Sequence, residues 1–424
     1  MRFVVIAVAL GAGLVSSTAQ AQAQAGPAIS LDALSADVVA NNPERRFYQR
    51  QIETAGIERD AAGRLADPEL VVEFGERKIT DPVSGVRTGD APAYAASIVQ
   101  PIEFGGRIAL RRAIAERQID LARIGLAQFD ATLVARARSL GYQLFAADEK
   151  ARSAREVAAR MRDLAHVIVS RDLAGPAPAL DAASLQGQAI TAERDAANAD
   201  AQANSALYEL NQLRGAPFAA RIRVIRPDMT LPTLPPATVL AARVDEANFE
   251  LRALRAQFEQ QGLRVDLARK QRIPVVSVGP YYDRSRADGQ TNVGVRLSTT
   301  LPVWNRQAGQ VAQEQGRQAQ ADATLIEAQR RIAREVFDQA AQYEAKRTVL
   351  GQWAGDTPER FAAAAREADR NFRLGAIPLA TYTQIQSSYL AALNAVLDTR
   401  REATEALLGL RALAGGSLDG RTAQ

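Results

Sequence analysis

The sequence predicts a mainly α-helical protein with a small β part, and three observations support this prediction. Long windows of the chain contain no proline, and a proline inside a helix costs about 3 kcal/mol. Four segments of about ten residues have the composition and alternation of β-strands. The chain also contains an internal repeat of about 200 residues. Each repeat is predicted to consist of a short helix, two strands, a long helix, a turn and a further helix.

The first 25 residues have the pattern of a signal peptide. Arg2 supplies a basic start, residues 3–15 are apolar, and small residues alternate with glutamine over residues 19–25. A membrane anchor is the alternative, but this apolar stretch is shorter than the roughly 20 residues that a spanning helix needs. We therefore assign residues 1–25 to a signal peptide and expect the mature protein to be exported.

The first repeat is predicted over residues 26–215. Its elements after the short helix are strands 69–76 and 93–102, a long helix 106–173, a tip turn 173–178 and a helix 178–213. Leu126, Phe129 and Leu133 step by three and four residues, which is the spacing of one helix face. At 1.5 Å per residue, the long helix would measure about 100 Å.

The second repeat is predicted over residues 238–414, after a proline-rich linker 216–237 and before a tail 415–424. Its elements after the short helix are strands 275–284 and 292–301, a long helix 307–373, a tip turn 374–378 and a helix 378–414. Within the long helix, Thr357 and Pro358 have the pattern of an N-cap followed by the first helical residue. That pattern predicts either a new helix starting there or a kink.

Several short motifs recur between the two repeats in the same order. The matching pairs are Asn42-x-Glu44 with Asn248-x-Glu250, Pro101 with Pro302, Gly175-x-x-Pro178 with Gly375-x-x-Pro378, and Gln186-x-Gln188 with Gln384-x-Gln386. One match could arise by chance, but one order of elements at one spacing indicates a duplicated unit.

The composition excludes several classes of function. The chain has no Cys and one His, so disulfides, thiolate metal sites and histidine zinc sites are not expected. His166 has no second ligand at i+4, so we expect it to be a solvated or packed residue. The net charge is +4, and the basic residues are interspersed with acidic ones along the chain. This pattern does not indicate nucleic-acid binding. No phosphate loop or nucleophile motif occurs, so we expect neither an enzyme nor a bound cofactor.

Over nearly all of the mature chain, the sequence resembles the TolC-like outer-membrane efflux channel family. The residues that carry the resemblance are Asn41-Asn42-Pro43-Glu44, Gln100-Pro101-Ile102-Glu103-Phe104-Gly105-Gly106-Arg107, Leu301-Pro302-Val303-Trp304-Asn305-Arg306, and the tip turns at 173–181 and 373–381. The Gln-Pro-Ile-Glu-Phe-Gly-Gly-Arg form is most similar to the CzcC-like branch, which serves pumps for metal cations.

The resemblance implies a homotrimer in the cell outer membrane. Each chain would give four strands to a twelve-stranded barrel, continued by a long α-helical tunnel in the periplasm. The implied partners are outer-membrane lipid, a periplasmic adaptor protein and an inner-membrane resistance-nodulation-division pump. The cargo would be heavy-metal cations, with multidrug efflux or type I secretion as alternatives. A soluble periplasmic coiled-coil adaptor or a scaffold protein is the remaining alternative.

The resemblance also assigns roles to particular residues. The adaptor-docking tip turns would contain Leu173, Gly175, Pro178, Leu374, Gly375 and Pro378. The candidate periplasmic gate comprises Asp181, Ser184, Thr381, Gln384, Arg171 and Arg373, and the barrel-to-tunnel junction comprises Pro101, Gly105, Gly106 and Pro302. Because the second repeat has Thr381 where the first has Asp181, an acidic gate is in question. We further hypothesise that Arg171, Arg370 or Arg373 pairs with Asp181 or Asp172 across neighbouring tips.

Overall fold

A computed structural model describes residues 26–170, 176–227, 230–286, 290–301, 307–353 and 357–416. The predicted signal peptide lies outside the described residues. The helices are α1 (Leu31–Asn41), α2 (Arg45–Ala62), α3 (Arg107–Ser170), α4 (Pro176–Leu213), α5 (Ala237–Ala247), α6 (Phe249–Lys270), α7 (Ala308–Gln352), α8 (Thr357–Arg373) and α9 (Leu379–Leu413). The strands are β1 (Ala28–Ile29), β2 (Glu69–Thr80), β3 (Arg87–Ile102), β4 (Arg223–Val224), β5 (Val276–Ser285) and β6 (Thr291–Thr299). The predicted class, mainly α with a small β part, is confirmed.

The four predicted strands form one antiparallel sheet in the order β2-β3-β5-β6. The first hairpin is longer than predicted, because β2 continues to Thr80 and β3 begins at Arg87. The added residues are mostly polar, yet backbone pairing continues through them, with Arg77 opposite Ala91. Backbone hydrogen bonding does not depend on side-chain polarity, so hydrophobic alternation alone marks only the apolar part of such a hairpin.

The sheet has one apolar face and one polar face. Val72, Phe74, Val293 and Val295 are exposed on the same face, in agreement with the strand alternation. On the other face, Ser97 is buried, and the Arg296 guanidinium lies 5.7 Å from the centre of the Tyr281 ring. A sheet that exposes apolar side chains on one face is suited to contact with lipid.

The helix α3 has 64 residues and corresponds to about 95 Å of continuous helix. It packs along α4, and small residues dominate the contact, with Ala146 and Val157 on α3 facing Leu185 and Ala189 on α4. The predicted helix end at residue 173 lies outside the described residues. No helix in the described part of the chain is long and apolar enough to cross a membrane.

The single long helix predicted over 307–373 is two helices, α7 and α8. Trp353 ends α7 in an extended conformation, with φ −87° and ψ 135°. Thr357 and Pro358 are the first two residues of α8, so of the two alternatives the structure shows a new helix. Proline has no N–H to lose in the first turn and disfavours a helical residue before it, so this is where a long helix is most easily interrupted.

The predicted linker 216–237 contains structure that the sequence did not indicate. Its strand β4 pairs in parallel with β1, Ala28 opposite Arg223 and Ile29 opposite Val224. Ile222 and Val224 are buried against α1, α3 and α4. Parallel pairs of two residues leave almost no periodicity, which explains why the pattern was not visible.

Candidate functional site: the sheet-to-helix junction and the helix tips

Two consecutive glycines connect the sheet to the long helix α3. Gly105 and Gly106 have φ values of +79° and +78°, a region that residues with a side chain rarely adopt. A Cβ atom on Gly105 would lie 2.8 Å from Cδ1 of Ile273, so the Ile273 side chain would have to shift to accept it. Pro101, from the same predicted junction, lies in β3 opposite Ser277, whereas Pro302 lies outside the described residues.

A buried arginine stabilises this junction. Arg107, the first residue of α3, is 5% exposed, and its Nε donates a hydrogen bond of 3.1 Å to the carbonyl oxygen of Lys270 at the end of α6. The start of α3 is therefore tied to the segment that enters β5. Arg107 ends the Gly-Gly-Arg motif, and the structure gives its side chain a role in holding the two halves together.

The tip of the second hairpin is a tight helix ending around Gly375. Gly375 has φ +72°, its N–H donates to the Phe372 carbonyl at 2.9 Å, and the Ala376 N–H donates to the Asn371 carbonyl at 2.8 Å. These two bonds form the Schellman motif, which satisfies carbonyls that a helix end leaves open. Pro378 immediately precedes α9, and Leu374 is 81% exposed at the turn. The predicted turn at 374–378 thus presents an apolar side chain outward.

The first hairpin tip is described only in part. Arg171, Asp172, Leu173 and Gly175 lie outside the described residues. The returning helix α4 begins at Pro176, two residues before the predicted start at Pro178. A proline is favoured in the first turn of a helix, and the chain offers one at both positions.

The candidate gate residues lie on the solvent side of the two returning helices. Asp181 and Ser184 on α4, and Thr381 and Gln384 on α9, are exposed. The Gln384 side-chain amide donates to Ser388 Oγ at 3.2 Å on its own helix. These four side chains are free to face a bore or a neighbouring chain, and their role in a gate remains a prediction.

The arginines near the second tip have partners on their own helix. Arg373 Nε is 3.0 Å from Asp369 Oδ2, and Arg370 pairs with Glu367. Within one chain, the hypothesised pairing of Arg370 or Arg373 with Asp181 is therefore replaced by contacts at i−3 and i−4. Such pairs form readily because those positions are neighbours on a helix surface. Pairing between neighbouring chains remains a prediction.

A buried polar and aromatic cluster behind the tip was not predicted. Tyr382 is fully buried and stacks on Phe372 with ring centroids 5.0 Å apart. Burial raises the pKa of Tyr382, and the negative charge of Asp369 raises it further. The Gln386 amide donates to the Ala365 carbonyl at 2.8 Å. The spacing of four residues between Tyr382 and Gln386 indicates that both lie on the same helix face. It does not indicate that this face is buried.

The one histidine is not part of a metal site in the described residues. His166 is exposed on α3. No group of three or more His, Asp or Glu side chains arranged to hold a metal occurs among the residues that the structure describes.

Comparisons with known proteins agree with this architecture. The profile of the family described as Outer membrane efflux protein matches residues 240–416. The pyoverdine export outer membrane protein OpmQ of Pseudomonas aeruginosa is 25% identical over 410 residues, covering 91% of this chain and 85% of OpmQ.

Solved structures give the same fold over nearly the whole chain. A membrane protein from Pseudomonas aeruginosa superposes with a TM-score of 0.75 at 19% identity, covering 94% of this chain and 93% of that one. The open-state MtrE outer membrane channel of Neisseria gonorrhoeae superposes with a TM-score of 0.69 at 16% identity, covering 94% and 92%. MtrE is described as an outer membrane channel, and the matching family as outer membrane efflux proteins. Residues 240–416 therefore match the profile of the Outer membrane efflux protein family, and the described chain has the TolC-like fold of outer-membrane channels that continue into a helical barrel.

Proposed function

We propose that this protein is the outer-membrane exit channel of a tripartite efflux system and works as a homotrimer. The observation that carries the proposal is the four-stranded sheet with one lipid-suited face and two open edges. In the described chain, β2 pairs only with β3 and β6 pairs only with β5. The smallest membrane barrels have about eight strands, so four strands must be completed by other chains. Three copies give twelve.

The helices support the same assembly. Leu180 and Ile190 are exposed on α4, and Val349 and Phe361 are exposed on α7 and α8. The contacts of α4 are mainly with α3, those of α8 are mainly with α9, and those of α7 are mainly with α6 and α9, so these apolar side chains lie at opposite edges of the helical layer. A second copy that places one edge against the other would bury both. Repeating that contact closes a ring, which is how head-to-tail interfaces form cyclic oligomers.

The tips are the proposed docking points for the periplasmic adaptor. The 81% exposed Leu374, held on the Schellman turn at Gly375, is an apolar side chain that a partner's helical hairpin would cover. The duct itself is passive in this proposal, and an inner-membrane pump of the resistance-nodulation-division type supplies energy and selects the cargo.

The cargo class is the finer part of the proposal. A CzcC-like motif suggested heavy-metal cations, but the matching family profile describes efflux proteins in general, and OpmQ is described as a pyoverdine export protein. The similarity to OpmQ favours a small organic molecule over a metal cation. Multidrug efflux belongs to this organic class, and type I secretion is the second candidate.

The experiment is to express the full chain and measure its location, size and conductance. We expect the protein in the outer-membrane fraction, as a trimer on native gels that opens water-filled pores in planar lipid bilayers. Phe361→Asp adds a charge at the proposed helix edge and should weaken the trimer by at least tenfold in detergent. Ala363→Asp adds the same charge two positions along α8, away from that edge, and should leave the trimer intact. A monomer in the periplasmic fraction without pore activity would refute the proposal.

A further inference from the structure

A polar groove in the helical layer lies apart from both the junction and the tips. Two adjoining cavities of about 480 and 670 Å³ share the side chains of Glu58, Gln118 and Gln260. Both are lined by α2, α3, α6 and α7, which pack side by side in that order. We place this side of the layer toward the bore of the proposed trimer, so the inference rests on the proposed function.

A separate cavity on the same helices is bordered by two ion pairs between elements. Arg117 Nε on α3 is 3.4 Å from Glu259 Oε2 on α6, and Arg255 Nη2 is 2.8 Å from Asp245 Oδ2. Residues 117, 255 and 259 line this cavity between α3 and α6, which shares no residue with the groove. In the groove, several buried side-chain oxygens have no hydrogen-bond partner among the described residues.

One open atom is a buried carboxylate oxygen. The Glu314 side chain on α7 is 12% exposed and lines the smaller cavity. Its Oε1 accepts a hydrogen bond of 2.6 Å from Arg317 Nη1, whereas its Oε2 is buried without a hydrogen-bond partner. The side-chain oxygen of Gln271, which lines the same cavity, is also buried without a partner. Buried acceptors without donors are costly, so this wall of the cavity calls for an N–H or O–H donor.

The same cavity also contains an open cation. Arg264 on α6 is half-buried and has no carboxylate within ion-pair distance among the described residues. Its neighbour in the cavity, Arg111, is held by Glu103 at 2.6 Å. The lining therefore contains two carboxylates, Glu58 and Glu314, and two guanidinium groups, and is neutral in formal charge. A free metal cation would bind weakly in this cavity, because the arginine side chains repel it and a single carboxylate oxygen supplies too few ligands.

We propose that this groove is a transit site for zwitterionic organic cargo. An ammonium group would donate to the Glu314 carboxylate and the Gln271 amide oxygen once these side chains turn toward the cavity, and a carboxylate would accept from the Arg264 guanidinium. The glutamine side chains that line the groove can serve as donors or acceptors for amide groups between those two ends. Small peptides have this combination of groups. The groove thus binds this class of cargo on its way through the duct, after the pump has selected it.

The test uses triglycine as the probe and the reconstituted trimer as the protein. We expect triglycine to reduce the single-channel current saturably, while propionate and ethylammonium at the same concentration have at least tenfold weaker effects. Glu314→Gln and Arg264→Gln should each weaken the triglycine effect at least tenfold. Glu327→Gln and Arg334→Gln, exposed positions further along α7, are the matched controls and should not change it.

Two further measurements separate the possible outcomes. Calorimetric titration of the detergent-solubilised protein with triglycine reports binding without any need for conductance, and Gln271→Leu removes an acceptor without changing charge. Open pores with no triglycine binding would overturn the transit site while leaving the channel function intact. Absence of pores would count against the proposed function instead. If propionate bound as well as triglycine and only Arg264→Gln affected it, the groove would be a simple anion site and the proposal would be wrong.

Discussion

The Asn42 side-chain amide donates a hydrogen bond of 2.9 Å to the carbonyl oxygen of Leu213, and Asn248 makes the equivalent bond of 2.9 Å to Leu413. Each asparagine separates two short helices, with φ near −60° and ψ of 122° or 127°. Each carbonyl belongs to the last residue of a returning helix. The same contact therefore closes both halves of the chain, and it gives the recurring asparagine the same role in each half.

Replacing either asparagine should destabilise the protein by about 1–3 kcal/mol. Asn42→Ala removes the bond to Leu213 and the one that its side-chain oxygen accepts from the Glu44 N–H. Asn248→Ala removes the corresponding bond and the cap on Leu251 N–H. Thermal unfolding of the purified protein measures both losses, which should add in the double variant because the sites are distant. Asn41→Ala, an exposed neighbour, is the control, and an equal loss there would contradict the role of Asn42.

Gly375→Ala should cost about 1 kcal/mol and act only at the tip. No atom lies within 4 Å of the added Cβ, so the cost comes from the left-handed backbone with φ +72°. Gly351→Ala in α7 is the matched control, because its Cβ also meets open space but its backbone is helical, and it should stabilise by up to about 1 kcal/mol. Hydrogen exchange of residues near the tip reports the difference. Faster exchange in the Gly351 variant alone would show that the turn does not depend on Gly375.

Arg214→Met should destabilise the protein more than Arg136→Met. Arg214 Nε lies 2.5 Å from Asp37 Oδ2, and the two side chains are only 18% and 31% exposed. Arg136 is 2.6 Å from Glu209, but those side chains are 54% and 37% exposed. Partly buried pairs leave an uncompensated charge when one partner is removed, so we expect about 1–3 kcal/mol for Arg214 and under about 1 kcal/mol for Arg136. Urea unfolding measures both, and equal losses would show that burial does not set the difference.

Stability should fall in alkaline solution because buried tyrosines resist ionisation. Burial raises the pKa of Tyr142 and of Tyr343 to about 12, from an ordinary value near 10. A raised pKa contributes stability that is complete below about pH 10 and is lost as the pH rises towards 12, by at most about 1.4 kcal/mol per pH unit for each group. Thermal midpoints between pH 8 and 11.5 measure the decline.

A phenylalanine variant tests whether the tyrosines cause that decline. Tyr343→Phe loses the 2.6 Å bond from its hydroxyl to the Pro232 carbonyl and should be less stable at pH 8, but its midpoint should fall less steeply with pH. Tyr208→Phe, at a 49% exposed position, should keep the slope of the unchanged protein. An unaltered slope for the Tyr343 variant would mean that other groups control the alkaline transition.

Much of the candidate site could be predicted because it depends on local chemistry. Gly105, Gly106 and Gly375 occupy positions where only glycine is unstrained, and their neighbours in sequence mark a strand end or a helix end. Such positions can be recognised from two or three consecutive residues in the sequence. By contrast, the buried side chain of Arg107 bonds to Lys270, which is 163 residues away in sequence. No local sequence pattern indicates that contact.

The sequence by itself determined where helices and strands lie, because proline, glycine and side-chain alternation act within a few residues. It also determined the duplicated order of elements and the turns at the junction and second tip. Only the tertiary structure decided which faces are buried, that α7 and α8 are separate helices, and that β1 pairs with β4. The polar groove is also visible only in the tertiary structure, because Glu314, Gln271 and Arg264 line one cavity only when α6 packs against α7. Burial and charge pairing depend on distances in space, and these are fixed by packing between elements far apart in the chain.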